Sequence, residues 1–261
     1  MVFARGPGTR AVDLAAVIDQ VAAEQRTVSS AANWSAGRPH PLGDLEIQYL
    51  CLFGADAIDR PETRVQLWMA WGMCHRHALG FLAVEASLHQ GWLFRPAIVY
   101  DDVIDRGRYA LAPRRLFERA RVGASLREAE PCQPCALGLT PDEPAEPEAA
   151  TIVDEGRGLD PLRSFASETR RHWERWVCGK CAASESPTRC RLHLAEDLDA
   201  GRGAGLPSQR VLVEDLSSHL RAYARSFGWS SRGTETAADR AALIGAVGWC
   251  GGWESILRFL P

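Results

Sequence analysis

Cys178-Gly179-Lys180-Cys181, eight residues, then Cys190-Arg191-Leu192-His193 is the stretch on which the organisation of this 261-residue chain turns. Two ligands three apart let one tight turn wrap an ion, and a second pair at the start of a helix completes a tetrahedron. Three thiolates and one imidazole are a common closed set for structural zinc. The intervening Ser184–Pro187 run supplies a loop of suitable length.

The same two kinds of pair recur upstream, but apart. Cys74-His75-Arg76-His77 and Cys132-Gln133-Pro134-Cys135 are separated by residues 78–131, 54 in all. Joining Cys74, His77, Cys132 and Cys135 gives a second four-ligand site, so two zinc ions per chain are expected. Counting leaves rivals open: Cys51 replacing one ligand, His75 replacing His77, or Cys132 and Cys135 joining Cys178 and Cys181. An iron–sulfur cluster with one His ligand is a further option, but all-cysteine ligation is its commoner form, so zinc is the expected metal. Cys51, between Leu50 and Leu52, and Cys250, beside Trp249, read as small buried hydrophobes. His40, His89 and His219 have no partner pattern, and solvent or helix-face positions are expected for them.

Composition bounds the rest. Hydrophobic residues make up 46% and charged residues 24%, as in ordinary globular chains. A net charge of -3 gives no global electrostatic reason for nucleic-acid or membrane binding. Of the 30 basic residues all but Lys180 are Arg, a bias that fits a GC-rich genome better than a phosphate-binding role. No run approaches the roughly 18–20 apolar residues that cross a bilayer. Met1 to Arg10 lacks the apolar core of a signal peptide, so a cytoplasmic location is expected. In that reducing compartment eight cysteines favour metal ligation over disulfides.

Helical periodicity dominates, and period-2 alternation is scarce. A first helix is expected over 11–25, then a Ser/Gly/Pro-rich stretch at 28–43. Asp44 is a candidate cap for a helix carrying Ile47 and Leu50, and Pro61 opens one with Val65, Trp68 and Met69 in register. Gly72 interrupts before Cys74, after which His77, Phe81, Val84 and Leu88 share a face. Pro96 and Pro113 are further candidate starts. Between Pro141 and Asp160 seven acidic residues face Arg157 alone, with Pro141, Pro144 and Pro147 interspersed, which predicts a flexible acidic linker or loop. It would divide an N-terminal helical portion, 1–140, from a C-terminal one, 161–261. The latter holds a helix to about Trp176, the metal knuckle, a Gly-rich break at 201–205 and two helical regions, one with Leu212, Leu216, Leu220 and Tyr223 and one with Leu243, Ile244, Val247, Trp253 and Ile256. The expected fold is all-α, stapled by two metal sites.

Several stretches resemble an uncharacterised bacterial family that combines Cys-x-x-Cys pairs with repeated Cys-x-x-His motifs at helix starts. They are Met73-Cys74-His75-Arg76-His77-Ala78, Cys190-Arg191-Leu192-His193-Leu194, the helix from Ala97 to Asp105 and the helix Leu216-Ser217-Ser218-His219-Leu220-Arg221-Ala222-Tyr223. The pieces span about two thirds of the chain. Where such proteins place a Cys-x-x-Cys before the first motif, this chain has Gln48 and Cys51. The resemblance implies no activity.

Asp101-Asp102-Val103-Ile104-Asp105 matches the Asp-Asp-x-x-Asp motif of class I prenyl-transferases and terpene synthases, in which carboxylates on one helical face hold magnesium bridged to a diphosphate. The downstream partner motif is incomplete, since Glu214-Asp215-Leu216-Ser217-Ser218 is followed by Ala222 where an acid is needed, and Arg114-Arg115 is the best echo of a diphosphate-binding pair. A solvated acidic face is the plainer reading. His172-Trp173-Glu174 sits too close to Cys178 for a deaminase centre, and Val177 stands where that motif needs Pro. The chain has no His-Glu-x-x-His, P-loop or Gly-x-Ser-x-Gly, and Gly201-Arg202-Gly203-Ala204-Gly205 lacks a dinucleotide fingerprint's context. Arg175, Lys180, Arg189 and Arg191 would favour thiolates near the knuckle, which opens a redox-sensing alternative. The same cations could meet phosphates, but Glu168, Glu174 and Glu185 dilute them and Trp173 and Trp176 have core spacing, so nucleic acid is not the expected partner. The sequence thus predicts a structural-zinc helical protein acting as an interaction or regulatory module, with an unidentified protein as its partner. The alternatives are a magnesium-dependent diphosphate-using enzyme built on Asp101, Asp102 and Asp105, and a zinc-thiolate redox switch.

Overall fold

The computed structural model describes residues 42–260, save 114–115, 128–129 and 203–204. The expected helix at 11–25, His40 and the Arg114-Arg115 pair lie outside the described residues. Every regular element among those described is helical: α1 (Asp44–Leu52), α2 (Pro61–Ala70), α3 (His75–Leu88), α4 (Phe94–Leu111), α5 (Glu118–Leu126), α6 (Gln133–Ala136), α7 (Ala150–Gly156), α8 (Asp160–Trp173), α9 (Arg191–Asp199), α10 (Leu206–Ser226), α11 (Ala237–Gly251) and α12 (Glu254–Phe259). A five-residue π-helical segment, Phe53–Ala57, extends α1. The all-α expectation holds.

The core is built around α11. Its start is fixed by a capping box, in which Asp239 N donates to Thr236 Oγ1 (3.2 Å) and Thr236 N donates to Asp239 Oδ2 (2.8 Å). From Ala241 to Gly251 every residue is buried. A helix apolar on all sides must be enclosed by other helices, and α3, α4, α8, α9 and α10 all pack on it. Gly245, Gly248 and Gly251 make that enclosure close. A Cβ on Gly245 would lie 2.5 Å from Leu216 Cδ2 and 2.6 Å from the Trp176 ring, one on Gly248 would run into the Trp253 indole, and one on Gly251 would lie 2.9 Å from the Met73 carbonyl oxygen. Around this axis, α4 buries Val99, Tyr100, Val103 and Ile104 on one stripe, and α10 buries Val213, Leu216, Leu220 and Tyr223.

Three expectations are corrected. The Pro61 helix forms with Pro61 in its first turn, but it buries Thr63, Leu67 and Ala70, leaving Val65 and Trp68 exposed. The Arg106 guanidinium covers Trp68 from the solvent side (4.9 Å to the ring), so the tryptophan needs no core position. Helix α4 starts at Phe94, two residues before Pro96, because proline is tolerated throughout a first turn, where N–H groups lack helical partners anyway. The acidic stretch 141–160 is not a free linker. It contains α7, which packs on α1 and α3, with Val153 buried and Gly156 so close to α1 that a Cβ would lie 2.9 Å from Ile47. Glu146 N donates to Gln48 Oε1 (3.0 Å), and Arg157 pairs with Asp44 (2.6 Å). The acidic side chains keep to the solvent while the backbone and small apolar residues dock. The described residues accordingly belong to one compact unit, with α3 and α4 from the first portion packed on α8, α10 and α11 from the second.

Gly245→Ala separates packing from propensity. Helix propensity alone would make it stabilising by about 1 kcal/mol. Overpacking against Leu216 and Trp176 is expected to reverse the sign and cost about 1–3 kcal/mol. A lowered urea midpoint with an unchanged denaturant slope is the expected reading, and a raised midpoint would contradict the close approach.

Candidate metal centres

Each centre is assembled from two short turns of the same kind. Cys74 and Cys190 are the N-caps of α3 and α9, with extended backbones (ψ 162° and 167°), and His77 and His193 are the third helical residues. Cys132 caps α6 in the same way, with Cys135 third. An extended cap followed by helical residues turns the side chains at these two positions to the same side. The carbonyl of the first ligand closes each turn, accepting from Ala78 N, Leu194 N, Ala136 N and, in the Cys178 turn, Ala182 N, at 2.8, 2.8, 2.9 and 3.0 Å. In the Cys178 turn, Gly179 N also donates to the Thr188 carbonyl (2.9 Å), and a Cβ at Gly179 would collide with the Ser186 carbonyl oxygen. That explains the glycine inside the Cys-x-x-Cys.

The eight residues picked out in the sequence come together as two sets of four, Cys74/His77/Cys132/Cys135 and Cys178/Cys181/Cys190/His193, each with its ligand atoms within 4.8 Å of one another. In the first, His77 Nδ1 lies 3.2, 3.4 and 3.4 Å from the sulfurs of Cys74, Cys132 and Cys135, and the Cys74 and Cys135 sulfurs are 4.0 Å apart. In the second, His193 Nδ1 lies 3.3, 3.3 and 3.4 Å from Cys178, Cys181 and Cys190, and the Cys181 and Cys190 sulfurs are 3.8 Å apart. Metal–sulfur bonds of about 2.3 Å and metal–nitrogen bonds of about 2.0–2.1 Å on a tetrahedron give edges of about 3.8 Å and 3.5 Å. The donor sets therefore fit a tetrahedral ion with all four positions filled by protein.

The sulfur chemistry points the same way. In the first set a hydrogen bond from Cys74 holds the Cys132 thiol down, while Cys74 is pushed up to about 11 and burial raises Cys135. In the second, hydrogen bonds from Cys181 and Cys190 lower Cys178, and both of those thiols are raised. Three sulfurs this close cannot all ionise against one another, and a divalent cation removes that conflict.

Beyond the ligands the two centres differ. His77 is wholly buried, and its Nε2–H donates to Glu46 Oε1 (2.9 Å), itself wholly buried. Glu46 also accepts from Arg76 Nη1 (2.7 Å) and from Gly43 N (2.9 Å). Burial alone would raise this carboxyl, but the hydrogen bonds from His77, Arg76 and Gly43 outweigh it and hold it below the usual range. The result is a carboxylate–histidine pair that fixes the imidazole with Nδ1 facing the sulfurs. His193 Nε2 has a distant Glu196 instead (4.0 Å). The second centre is braced instead by Asp197, which meets Lys180 (2.8 Å), Arg189 (3.0 Å) and Arg202 (2.9 Å), and whose carboxyl is pushed down to about 2 as these hydrogen bonds overcome its burial.

Both centres grip the end of α11. Arg191, 2% exposed, donates Nε to the Cys250 carbonyl (2.8 Å) and Nη1 to the Leu126 carbonyl (2.7 Å), and stacks over Trp71 (5.1 Å). The Trp253 backbone lies beside Cys181 and favours its thiolate. Gly251 lies against the Met73–His75 backbone of the first centre.

The remaining candidates separate cleanly. Cys51 and Cys250 belong to neither set and are buried, with both thiols pushed up to about 12 by burial, as expected of small hydrophobes. His75 turns away from the sulfurs and meets Ser255 Oγ (2.8 Å). His89 is exposed, and His219 pairs with Asp239 (2.7 Å). Asp101, Asp102 and Asp105 face arginines: Arg221 lies 3.6 Å from Asp101 and 2.7 Å from Asp105, Arg108 lies 3.1 Å from Asp105, and Arg64 Nε donates to Asp102 (2.8 Å). They line neither the cavity beside Glu85 and Arg95 nor the one beside Phe165 and Arg240. The cations near the knuckle are likewise committed, Lys180 and Arg189 to Asp197, Arg175 to Asp215 (2.9 Å) and Arg191 to backbone carbonyls. Glu46 and Asp197 escaped the sequence reading. Asp197 had one local signal, its position four residues after His193 on the same helix. Glu46 lies 31 residues before His77 and had none. No protein-family model, curated protein or solved structure matches this chain.

Glu46→Gln tests the carboxylate–histidine pair. It is expected to weaken metal retention at the first centre by about 10–100-fold, measured by competition with a chromogenic chelator, while the second centre keeps its affinity. Equal weakening of both, or of neither, would contradict the assignment.

Proposed function

We propose that each Cys3His set holds one structural zinc ion and that the chain serves as an interaction or regulatory module with another protein as its partner. The observation that carries this reading is closure: at both sites four protein ligands sit at tetrahedral spacing, whereas a catalytic zinc keeps one position for water or substrate. One ion would join segments distant in sequence, α3 to α6, and the other would close a local loop between the Cys178 turn and α9. Their role is to complete the fold that presents the module's surface. Three thiolates and an imidazole suit zinc, and a reducing compartment such as the cytoplasm would preserve them. No described helix is long and apolar enough to cross a membrane. The diphosphate-enzyme alternative has no support from the arginine-paired carboxylates of α4.

Elemental analysis of the purified chain is expected to give two zinc per chain, and strong chelation to abolish cooperative unfolding. Protein that contains no metal and unfolds cooperatively in chelator would overturn the proposal.

One observation favours the redox reading as a second property of the first centre. Cys135 is exposed, whereas Cys178 and Cys190 are buried. Oxidation by peroxide would join Cys74 and Cys135, whose sulfurs are 4.0 Å apart. Two thiolates then give two electrons to hydrogen peroxide, two protons are taken up, two waters form and the metal leaves. Mild peroxide is expected to release one metal equivalent well before the other, with a Cys74–Cys135 disulfide found by peptide mapping. Simultaneous release would remove this reading.

A further inference from the structure

A surface cavity of about 580 Å³, remote in role from the metal centres, brings together a buried carboxylate, an underused guanidinium and an apolar wall. It opens between α3, α4 and the π-helical segment Phe53–Ala57, and its lining includes Glu85, His89, Arg95, Trp92, Phe94 and Ile98. That size lies within the range of small-molecule sites. π-Helical turns are rare and recur at functional sites. Here the turn has a visible consequence: it carries Gly54 against Glu85, and a Cβ at Gly54 would collide with Glu85 Oε1. Glycine at this position lets the carboxylate sit beneath Arg95.

Arg95 is the centre of the site. Among the described residues its partners are all met through Nη1, which reaches Glu85 at 3.4 and 3.5 Å, the outer limit for such contacts, and donates to His89 Nε2 at 2.7 Å. Glu85 is 2% exposed, and burial pushes its carboxyl up to about 6 despite Arg95, so it is a reluctant counter-ion. Nε and Nη2 of Arg95 make no hydrogen bond to the described residues, which leaves one edge of a planar fork free on a residue that reaches the cavity. Such an edge matches a carboxylate through two parallel N–H···O bonds. The flanking rings are unusually open: Trp92 is 50% exposed and Phe94 43%. Of the other ionisable groups in the lining, Asp59 is an exposed carboxylate free to stay in the solvent, and the remaining two are engaged. Arg64 is bound to Asp102, and His89, whose imidazole burial and Arg95 hold below its usual range, is an acceptor toward Arg95. A neighbouring cavity of about 700 Å³ shares Trp92 and Gln90, but its arginines are engaged, Arg240 with Glu168 (3.0 Å) and over Phe165 (4.8 Å), and Arg232 over Trp92 (5.0 Å).

We propose that this cavity binds a small monocarboxylate with a flat or aliphatic apolar body, its carboxylate on the free edge of Arg95 and its body against Trp92, Phe94 and Ile98. Glu85 and His89 act as positioning residues that hold the guanidinium in the plane the ligand needs.

The test uses the full-length, metal-replete protein and three probes, phenylacetate, octanoate and the uncharged benzyl alcohol, followed by saturation-transfer NMR and by titration. Saturable binding of phenylacetate or octanoate at least ten times tighter than that of benzyl alcohol is expected. Arg95→Gln should remove that charge preference, and Trp92→Ala should weaken both carboxylates while leaving the preference in place. Zinc content and thermal unfolding of each variant establish that it is folded, and Trp92→Ala supplies an independent arm should Arg95→Gln not fold. Absence of saturable binding by both carboxylates would overturn the proposal. So would carboxylate binding unchanged in Arg95→Gln, or benzyl alcohol binding as tightly as phenylacetate.

Discussion

The end of α11 is the point on which the rest of the structure depends. The last carbonyls of a helix have no partners of their own, and burying them unsatisfied is costly. At the buried C-terminus of α11 the knuckle supplies one partner, through Arg191 on the Cys250 carbonyl. The following Trp253 backbone lies beside Cys181, and Gly251 lets the backbone before Cys74 lie flat against the helix. Both ligand sets thus converge on one four-residue turn. Residues next to the ligands bind the core, so fixing the ligands fixes the core helix.

That convergence changes what metal ions held by the two sets would contribute. A lone zinc knuckle orders a loop. Here Arg191 also reaches Leu126 and stacks on Trp71, a ring that Arg106 meets as well, at 4.1 Å. Trp71 is held with a positive φ of 61°, a left-handed conformation that a bulky residue adopts only when its surroundings over-determine it. The two guanidiniums, the Trp249 ring at 5.9 Å and the hydrogen bond from Trp71 Nε1 to the Arg127 carbonyl (3.2 Å) do so. The strain is offset by contacts from α4, α5, α9 and α11, so the knuckle's influence extends well past its own loop.

How legible this was in the sequence follows from the range of each interaction. Cys178 to His193 is local, and its spacing alone picked out four residues that the fold brings together. Cys74/His77 and Cys132/Cys135 are each local, but their joining was a matter of counting until the fold placed them together. All-α architecture was readable because α4 and α10 carry unbroken apolar stripes. The docking of 141–160 was not, because composition reports the acidic side chains, whereas the contact is made by Val153, Gly156 and backbone groups. Trp68 misled for the complementary reason: a tryptophan at helical spacing reads as core, yet a guanidinium from another helix can cover it. Glu46 was invisible, since nothing local distinguishes a carboxylate on a helix surface from one that a histidine 31 residues later will claim.

Two motifs in this chain look equally chemical on paper, and their different fates are instructive. Asp101, Asp102 and Asp105 share a helical face, but a face is only a direction, and what it meets is decided by other helices. Here it meets Arg221 of α10 and Arg64 of α2 in interhelical ion pairs, with Arg108 of its own helix beside Asp105. A Cys-x-x-His at a helix start is different, because the extended cap and the first turn already bring sulfur and imidazole within 3.2–3.4 Å. Half of a tetrahedron is then built before any tertiary contact forms. The remaining requirement is one more such turn nearby, and in a reducing environment few other structures satisfy four crowded sulfur and nitrogen donors as well as a metal ion does. A motif that carries its own geometry constrains the fold, whereas one that carries only a direction is interpreted by it.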